Sequence, residues 1–182
     1  FFMPVVSGAE FLKAARKGGY AVGGYNTNNL EWTQAILEAA EAKKAPVLIQ
    51  TSMGAAKYMG GYKVAKDMIT NLVDSMNITV PVAIHLDHGD YEAALECIEV
   101  GYTSIMFDGS HLPFEENLKL AKDVVEKAHA KGISVECEVG SIGGEEDGII
   151  GTGELADIEE CKQMVATGID YLACGIGNIH GQ

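Results

Sequence analysis

Six short apolar runs, each trailed by residues at helical spacing, leave this chain few folds. The runs are residues 20–26 (YAVGGYN), 46–52 (PVLIQTS), 80–88 (VPVAIHLDH), 103–110 (TSIMFDGS), 133–140 (ISVECEVG) and 170–177 (DYLACGIG). Between them, residues 30–44 place Trp32, Ile36, Leu37 and Ala40 on one helical face. Residues 113–131 open on Pro113 and stop just before Gly132, a helix start and stop signal, and residues 157–167 form a further amphipathic stretch. Strands alternating with helices imply right-handed βαβ units and a parallel sheet. An open, doubly wound sheet gathers its site at one switch point, whereas a barrel gathers it from every strand end. Here Asn26, Ser52, Asp87 with His88, Asp108 and Glu138 all stand at C-terminal strand ends, and the last run leads through GIGN to His180. The expected class is α/β, a (β/α)8 TIM barrel truncated to about six βα units. Residues 1–182 are then a single incomplete barrel domain, its last two units missing from this chain. An opening Phe1 in place of Met fits the same expectation of a fragment.

Charge narrows the partners. A net charge of −13 over 182 residues argues against nucleic acid, whose phosphates need clustered Lys and Arg. Any phosphorylated ligand must find its positive charge in a metal or at helix N-termini. No apolar run is long enough for a bilayer, and the start lacks a signal-peptide pattern. Cys97, Cys137, Cys161 and Cys174 show no CxxC spacing and read as reduced thiols of a cytoplasmic protein.

The stretch AIHLDHG, residues 83–89, carries the chemistry. Imidazoles and a carboxylate at the end of a buried strand are costly to desolvate unless they are paired or bind metal. His88 and His180, from separate strand ends, suit a catalytic zinc, and Glu138 or Asp108 suits the rest of its shell. The plainer alternatives are that Glu136 and Glu138 pair with nearby lysines and that Asp108 caps the turn before Gly109. Asp87 is placed for general acid–base work on a hydroxyl, or for orienting a ligand histidine. His85 shares the parity of Asp87 and points inward to pack or to orient. Residues 141–154 (SIGGEEDGIIGTGE), with five glycines and four acids, have neither helical nor strand period. They read as a solvent-facing loop, or as a lid that swings Glu145 or Glu146 into the site. Gly175, Gly177 and Gly181 permit close backbone approach, as a phosphate site needs. Trp32 and the methionines 53, 59, 68 and 76 read as packing.

Taken in order, YNTNN, QTSMGAAKYMGG, VAIHLDHG, SIMFDGS, VECEVGSIGGEEDG and GIGNIHG resemble the class II, zinc-dependent ketose-bisphosphate aldolases across residues 4–181. The resemblance is to the bacterial fructose-1,6-bisphosphate type, with tagatose-bisphosphate aldolases close by. It implies reversible cleavage of fructose 1,6-bisphosphate to dihydroxyacetone phosphate and glyceraldehyde 3-phosphate. His88 and His180 would ligate zinc, with Asp108 and Glu138 at a second or displaced metal position. Asp87 would exchange the proton of the hydroxyl on the aldehyde side of the scissile bond. Glu146 would take the proton from dihydroxyacetone phosphate in condensation. Asn26 and Ser52 would lie near substrate, and the Gly181 backbone would serve a phosphate or monovalent-cation site. The family's third histidine ligand and its main phosphate-binding residues are expected beyond Gln182, and a homodimer or larger assembly is expected at full length. Zinc as electron sink makes a Schiff-base lysine unnecessary, and none of the assigned strand ends carries a lysine. The alternatives are a tagatose-bisphosphate aldolase, a catalytically silent partial barrel that binds metal or sugar phosphate, and a doubly wound nucleotide-binding domain. The last is disfavoured because no strand leads into GxGxxG.

Overall fold

A computed structural model describes residues 4–146 and 149–181. In chain order the elements are α1 (Ala9–Gly18), β1 (Gly23–Asn26), α2 (Leu30–Lys43), β2 (Val47–Thr51), α3 (Met53–Met59), α4 (Tyr62–Ser75) and β3 (Val82–Gly89). There follow α5 (Tyr91–Val100), β4 (Ser104–Phe107), α6 (Phe114–His129), β5 (Ser134–Val139), β6 (Gly143–Glu146) and β7 (Ile149–Gly151), then α7 (Ile158–Val165), β8 (Tyr171–Cys174) and β9 (Ile179–His180). Six strands form one sheet in the order β1-β2-β3-β4-β5-β8, and every pair is parallel. The order never doubles back, so the sheet has no switch point of the doubly wound kind. It is the winding of a (β/α)8 barrel carried through six strands. Among the described residues no helix is long and apolar enough to cross a membrane.

The period of two in each strand answers why apolar runs end in polar groups. Val82, Ile84 and Leu86 of β3 pack into the main core with helix residues such as Leu37, Ile69 and Val124. Their neighbours on the opposite face are Ala83, His85 and Asp87. Ala83 joins Leu48 of β2 and Phe11 of α1 in a small second cluster on that inner face. β5 divides likewise: Val135, Cys137 and Val139 belong to the core, while Ser134, Glu136 and Glu138 alternate with them. Apolar burial therefore comes almost entirely from the helix side. The inner face stays open to polar chemistry.

Several expectations are trimmed. Ser52 is not in a strand but caps α3, its hydroxyl accepting from Ala55 N at 3.1 Å. Residues 141–154 are not a bare loop: β6 runs antiparallel to β7 and parallel to β9, a three-stranded sheet. Its glycines mark backbone-to-backbone approach, because a Cβ on Gly144 would overlap His180 O and one on Gly151 would overlap Ile142 O. With so little side chain, no alternating pattern could signal these strands. Trp32 does not pack in the core; it is 53% exposed in the first turn of α2.

One clamp joins layers. Glu41 of α2 accepts hydrogen bonds from Thr79 N and Thr79 Oγ1, each at 2.7 Å, and from Val80 N at 3.2 Å, at the entry to β3. The Lys44 ammonium, followed by the Thr79 donors, pulls its carboxyl from 4.5 down to about 2. A lowered folded pKa stabilises the fold above the unfolded value and loses that contribution as pH falls through the folded one. Glu41→Gln is therefore expected to flatten the fall in thermal stability between pH 4.5 and about 2, measured by circular dichroism. Parallel pH profiles for both proteins would contradict the clamp.

Candidate metal centre

β3 does not end regularly. Its pairing with β4 shifts between Leu86 and Gly89, and His88 at the shift has φ +46°, in the left-handed region. A bulged, non-glycine residue there costs about 1–3 kcal/mol and holds only where its surroundings fix it. They do so here. Asp108 N donates to Gly89 O at 2.9 Å, closing the bulge against the end of β4. Gly89 itself leaves no room for a Cβ, which would overlap the Leu86 side chain. The irregularity turns the His88 ring toward the neighbouring strands, where Nδ1 lies 2.7 Å from Asp108 Oδ2 and 3.7 Å from Glu138 Oε2. The His180 ring, delivered by β9, stands edge-on to it with centroids 5.2 Å apart.

His88, Asp108 and Glu138 offer ligand atoms within 4.8 Å of one another. Glu138 is 2% exposed; its Oε1 accepts from Ile142 N at 3.1 Å, while its buried Oε2 has no hydrogen-bond partner among the described residues. A carboxylate oxygen left so costs a few kcal/mol in desolvation unless something positive meets it. Burial, followed by the charge of Asp108, pushes the Glu138 carboxyl up to about 7. Burial pulls the His88 imidazolium down, but the hydrogen bond to Asp108 and the charges of Asp87, Asp108 and Glu138 outweigh it and raise its pKa to about 9. Burial likewise disfavours charge on Asp108, yet its hydrogen bonds with His88 and Ser110 hold its carboxyl below the usual range. A neutral His88 that donates Nδ1–H to Asp108 keeps the lone pair on Nε2, the arrangement common to metal-bound histidines.

Asp87, 8% exposed, adjoins this cluster on the inner face. Asn26 Nδ2 donates to its Oδ2 at 2.8 Å, and Gln50 Nε2 donates to Asn26 Oδ1 at 3.0 Å, a relay across β1, β2 and β3. Ser52, Asp87, His88, Asp108, Glu138 and His180 all line one cleft of about 850 Å³, roofed on one side by Ile150 to Thr152 of the hairpin. These six expected residues therefore share one cleft, with Asn26 behind Asp87. Gly181 stands beside the cleft with φ +73° and open space around it. The Glu146 side chain lies outside the described residues. His85 is buried, its Nδ1 2.7 Å from Ser104 Oγ and its Nε2 3.3 Å from Glu136, so it stabilises the inner face and does not reach the cluster. Glu136 thereby pairs with a histidine and not with a lysine. A Cβ on Gly175 would overlap Glu154 O, so the close backbone approach at the hairpin base requires glycine there.

A model of the class-II fructose-bisphosphate aldolase family matches residues 6–182. The chain belongs to that family. The fructose-bisphosphate aldolase of Streptococcus pneumoniae serotype 4 is 83% identical over 179 residues, which cover 98% of this chain and 61% of that protein. That of Geobacillus stearothermophilus is 54% identical over 182 residues, 98% of this chain and 63% of its own length. Among solved structures, the YdjI aldolase from Escherichia coli K12 superposes with a TM-score of 0.82 at 30% identity, over 97% of this chain and 64% of that one. The chain thus spans about three fifths of the length of the relatives it matches, and the six-stranded sheet is a truncated TIM barrel.

Class II aldolases depend on a metal, and the unpartnered Glu138 oxygen beside His88 fits one. Two residues escaped the sequence reading. Gln50 shares strand parity with Ser52, so alternation placed it inward and was the available signal. Asn117 of α6 donates to Glu138 O at 3.0 Å, a contact across 21 residues that no local pattern announces. Removing the donor to a buried carboxylate leaves it unsatisfied, so Asn26→Ala is expected to lose about 1–3 kcal/mol of stability in chemical denaturation. A change within about 0.5 kcal/mol, the range of neutral surface substitutions, would show that the relay to Asp87 is slack.

Proposed function

We propose that this chain is the N-terminal part of a zinc-dependent class II fructose-1,6-bisphosphate aldolase, and that the last two barrel units follow Gln182 in the complete polypeptide. The observation that carries the reading is the convergence of Asp87, His88, Asp108, Glu138 and His180 on one cleft, with Asn26 holding the Asp87 carboxylate. The named relatives favour fructose over tagatose. His88 and His180 would hold the metal, with Glu138 and Asp108 as carboxylates of a second or displaced metal position. When bound, a divalent zinc supplies a Lewis acid for the charge that develops as the carbon–carbon bond next to the ketone breaks.

The remaining work falls to the chain's own side chains. Asp87 accepts the proton of the hydroxyl on the aldehyde side during cleavage and returns it during condensation. Asn26 keeps one Asp87 oxygen hydrogen-bonded, which fixes the carboxylate's direction, and Gln50 fixes Asn26 in turn. Glu146, carried on the β6–β7 hairpin, takes the carbon-bound proton of dihydroxyacetone phosphate once the hairpin closes and excludes water. Asn26 and Ser52 lie near substrate, and the Gly181 backbone contributes to a phosphate or monovalent-cation site. A homodimer or larger assembly and a cytoplasmic location belong to the same reading, the latter resting on four free thiols.

The test is aldol cleavage by the full-length polypeptide, followed through a coupled assay. Chelation is expected to abolish turnover and zinc to restore it, with no inactivation by borohydride in the presence of substrate. Asp87→Ala is expected to lower kcat by roughly 10²–10⁴-fold while metal content stays that of the parent. Turnover that survives metal stripping, or an Asp87→Ala variant with parental kcat, would overturn the proposal.

A further inference from the structure

Two of the four thiols have no part in the aldolase reading, yet the fold brings them together. Cys161 lies in the first turns of α7 and Cys174 ends β8, and their sulfurs are 4.0 Å apart. The other two cysteines are solitary: Cys97 and Cys137 are fully buried in the main core. Cys161 and Cys174 are each half-buried, at the end of the described sheet where β8 pairs with β5. A disulfide needs its sulfurs about 2 Å closer, a distance that side-chain rotation or a small shift of one element can supply.

Of the two partners, the strand is the fixed one. β8 is paired with β5 through Val139 and Cys174, and Gly175 N donates to Val139 O at 3.0 Å. α7 is a short helix, capped by Asp157 and buried through Met164, with Cys161 packed against the main core. Burial, followed by the charge and hydrogen bond of Cys174 and then by Asp157 and Glu160, pushes the Cys161 thiol up to about 11. Closure needs a two-electron oxidant whichever of the two sulfurs ionises first.

We propose that Cys161 and Cys174 are an oxidation site, at which a peroxide-class oxidant closes an intramolecular disulfide that staples α7 to the strand leading to His180. In the first step one sulfur, as thiolate, attacks a peroxide oxygen; the O–O bond breaks, hydroxide leaves as water, and a sulfenic acid forms. In the second, the other sulfur attacks the first, the S–O bond breaks, the thiol proton leaves with the hydroxyl as a second water, and the S–S bond forms. Two thiols lose two electrons, and one peroxide is reduced to two waters. The site depends only on the packing of α7 against β8, so it stands or falls apart from the aldolase reading.

The experiment treats the reduced full-length protein with hydrogen peroxide, blocks remaining thiols with iodoacetamide after denaturation, and maps the digest by mass spectrometry. The expected product is a peptide pair joined through Cys161 and Cys174, lost on treatment with dithiothreitol, with Cys97 and Cys137 fully alkylated. Cys174→Ser is expected to remove the cross-link and leave Cys161 alkylated or singly oxygenated. Cys161 and Cys174 alkylated to the same extent as in untreated protein would overturn the proposal. So would cross-links between chains, or any that involve Cys97 or Cys137. The parent protein alone decides between these outcomes, whether or not the serine variant folds.

Discussion

The 2.7 Å hydrogen bond between His88 and Asp108 ties the strained end of β3 to the end of β4, and the rest of the site is arranged around it. A left-handed histidine at a bulge would relax to ordinary strand geometry if nothing held it. Asp108 holds the ring, and Asp108 N holds Gly89. The strain has a use, because regular pairing would put Asp87 and His88 on opposite faces. The bulge lets the consecutive residues Asp87 and His88 both line the cleft.

A cluster of acids and imidazoles in a protein of net charge −13 needs an account of its electrostatics. Glu138 is pushed up and His88 is pushed up, for opposite reasons: one carboxylate is short of positive charge, and one imidazole sits among three negative ones. A divalent cation held here would ease both at once, because its charge would stand beside the Glu138 oxygen that accepts no hydrogen bond among the described residues. The hydrophobic energy that makes such a cluster tolerable comes from elsewhere. Outward-facing Val82, Ile84, Leu86, Val135, Cys137 and Val139 bury against the helices, which frees the opposite parity for chemistry.

Parity is also why so much of the site was legible. Asn26, Asp87, Asp108 and Glu138 end strands that the apolar runs marked, and period two sent them all to one face. The parallel order of the strands followed from the helices between them. The β6–β7–β9 sheet was not legible, because its strands are short and its glycines mark close backbone approach in place of an alternating pattern. Trp32 was misjudged because a helical period predicts a face without saying which part of it finds a partner. Ser52 kept its place in the cleft but gained a second duty as the cap of α3. Asn117 and the Cys161–Cys174 pair are invisible to any local pattern; each depends on how α6 and α7 settle against β5 and β8.

The central claim is that the bulge at His88 exists to seat a metal between strand ends. The most direct measurement is an anomalous difference map at the zinc edge from crystals of the zinc-loaded, full-length protein. The account predicts one dominant peak at bonding distance, about 2.0–2.2 Å, from nitrogens of both His88 and His180. A peak bonded to neither imidazole, with His88 still in its bulge, would contradict it.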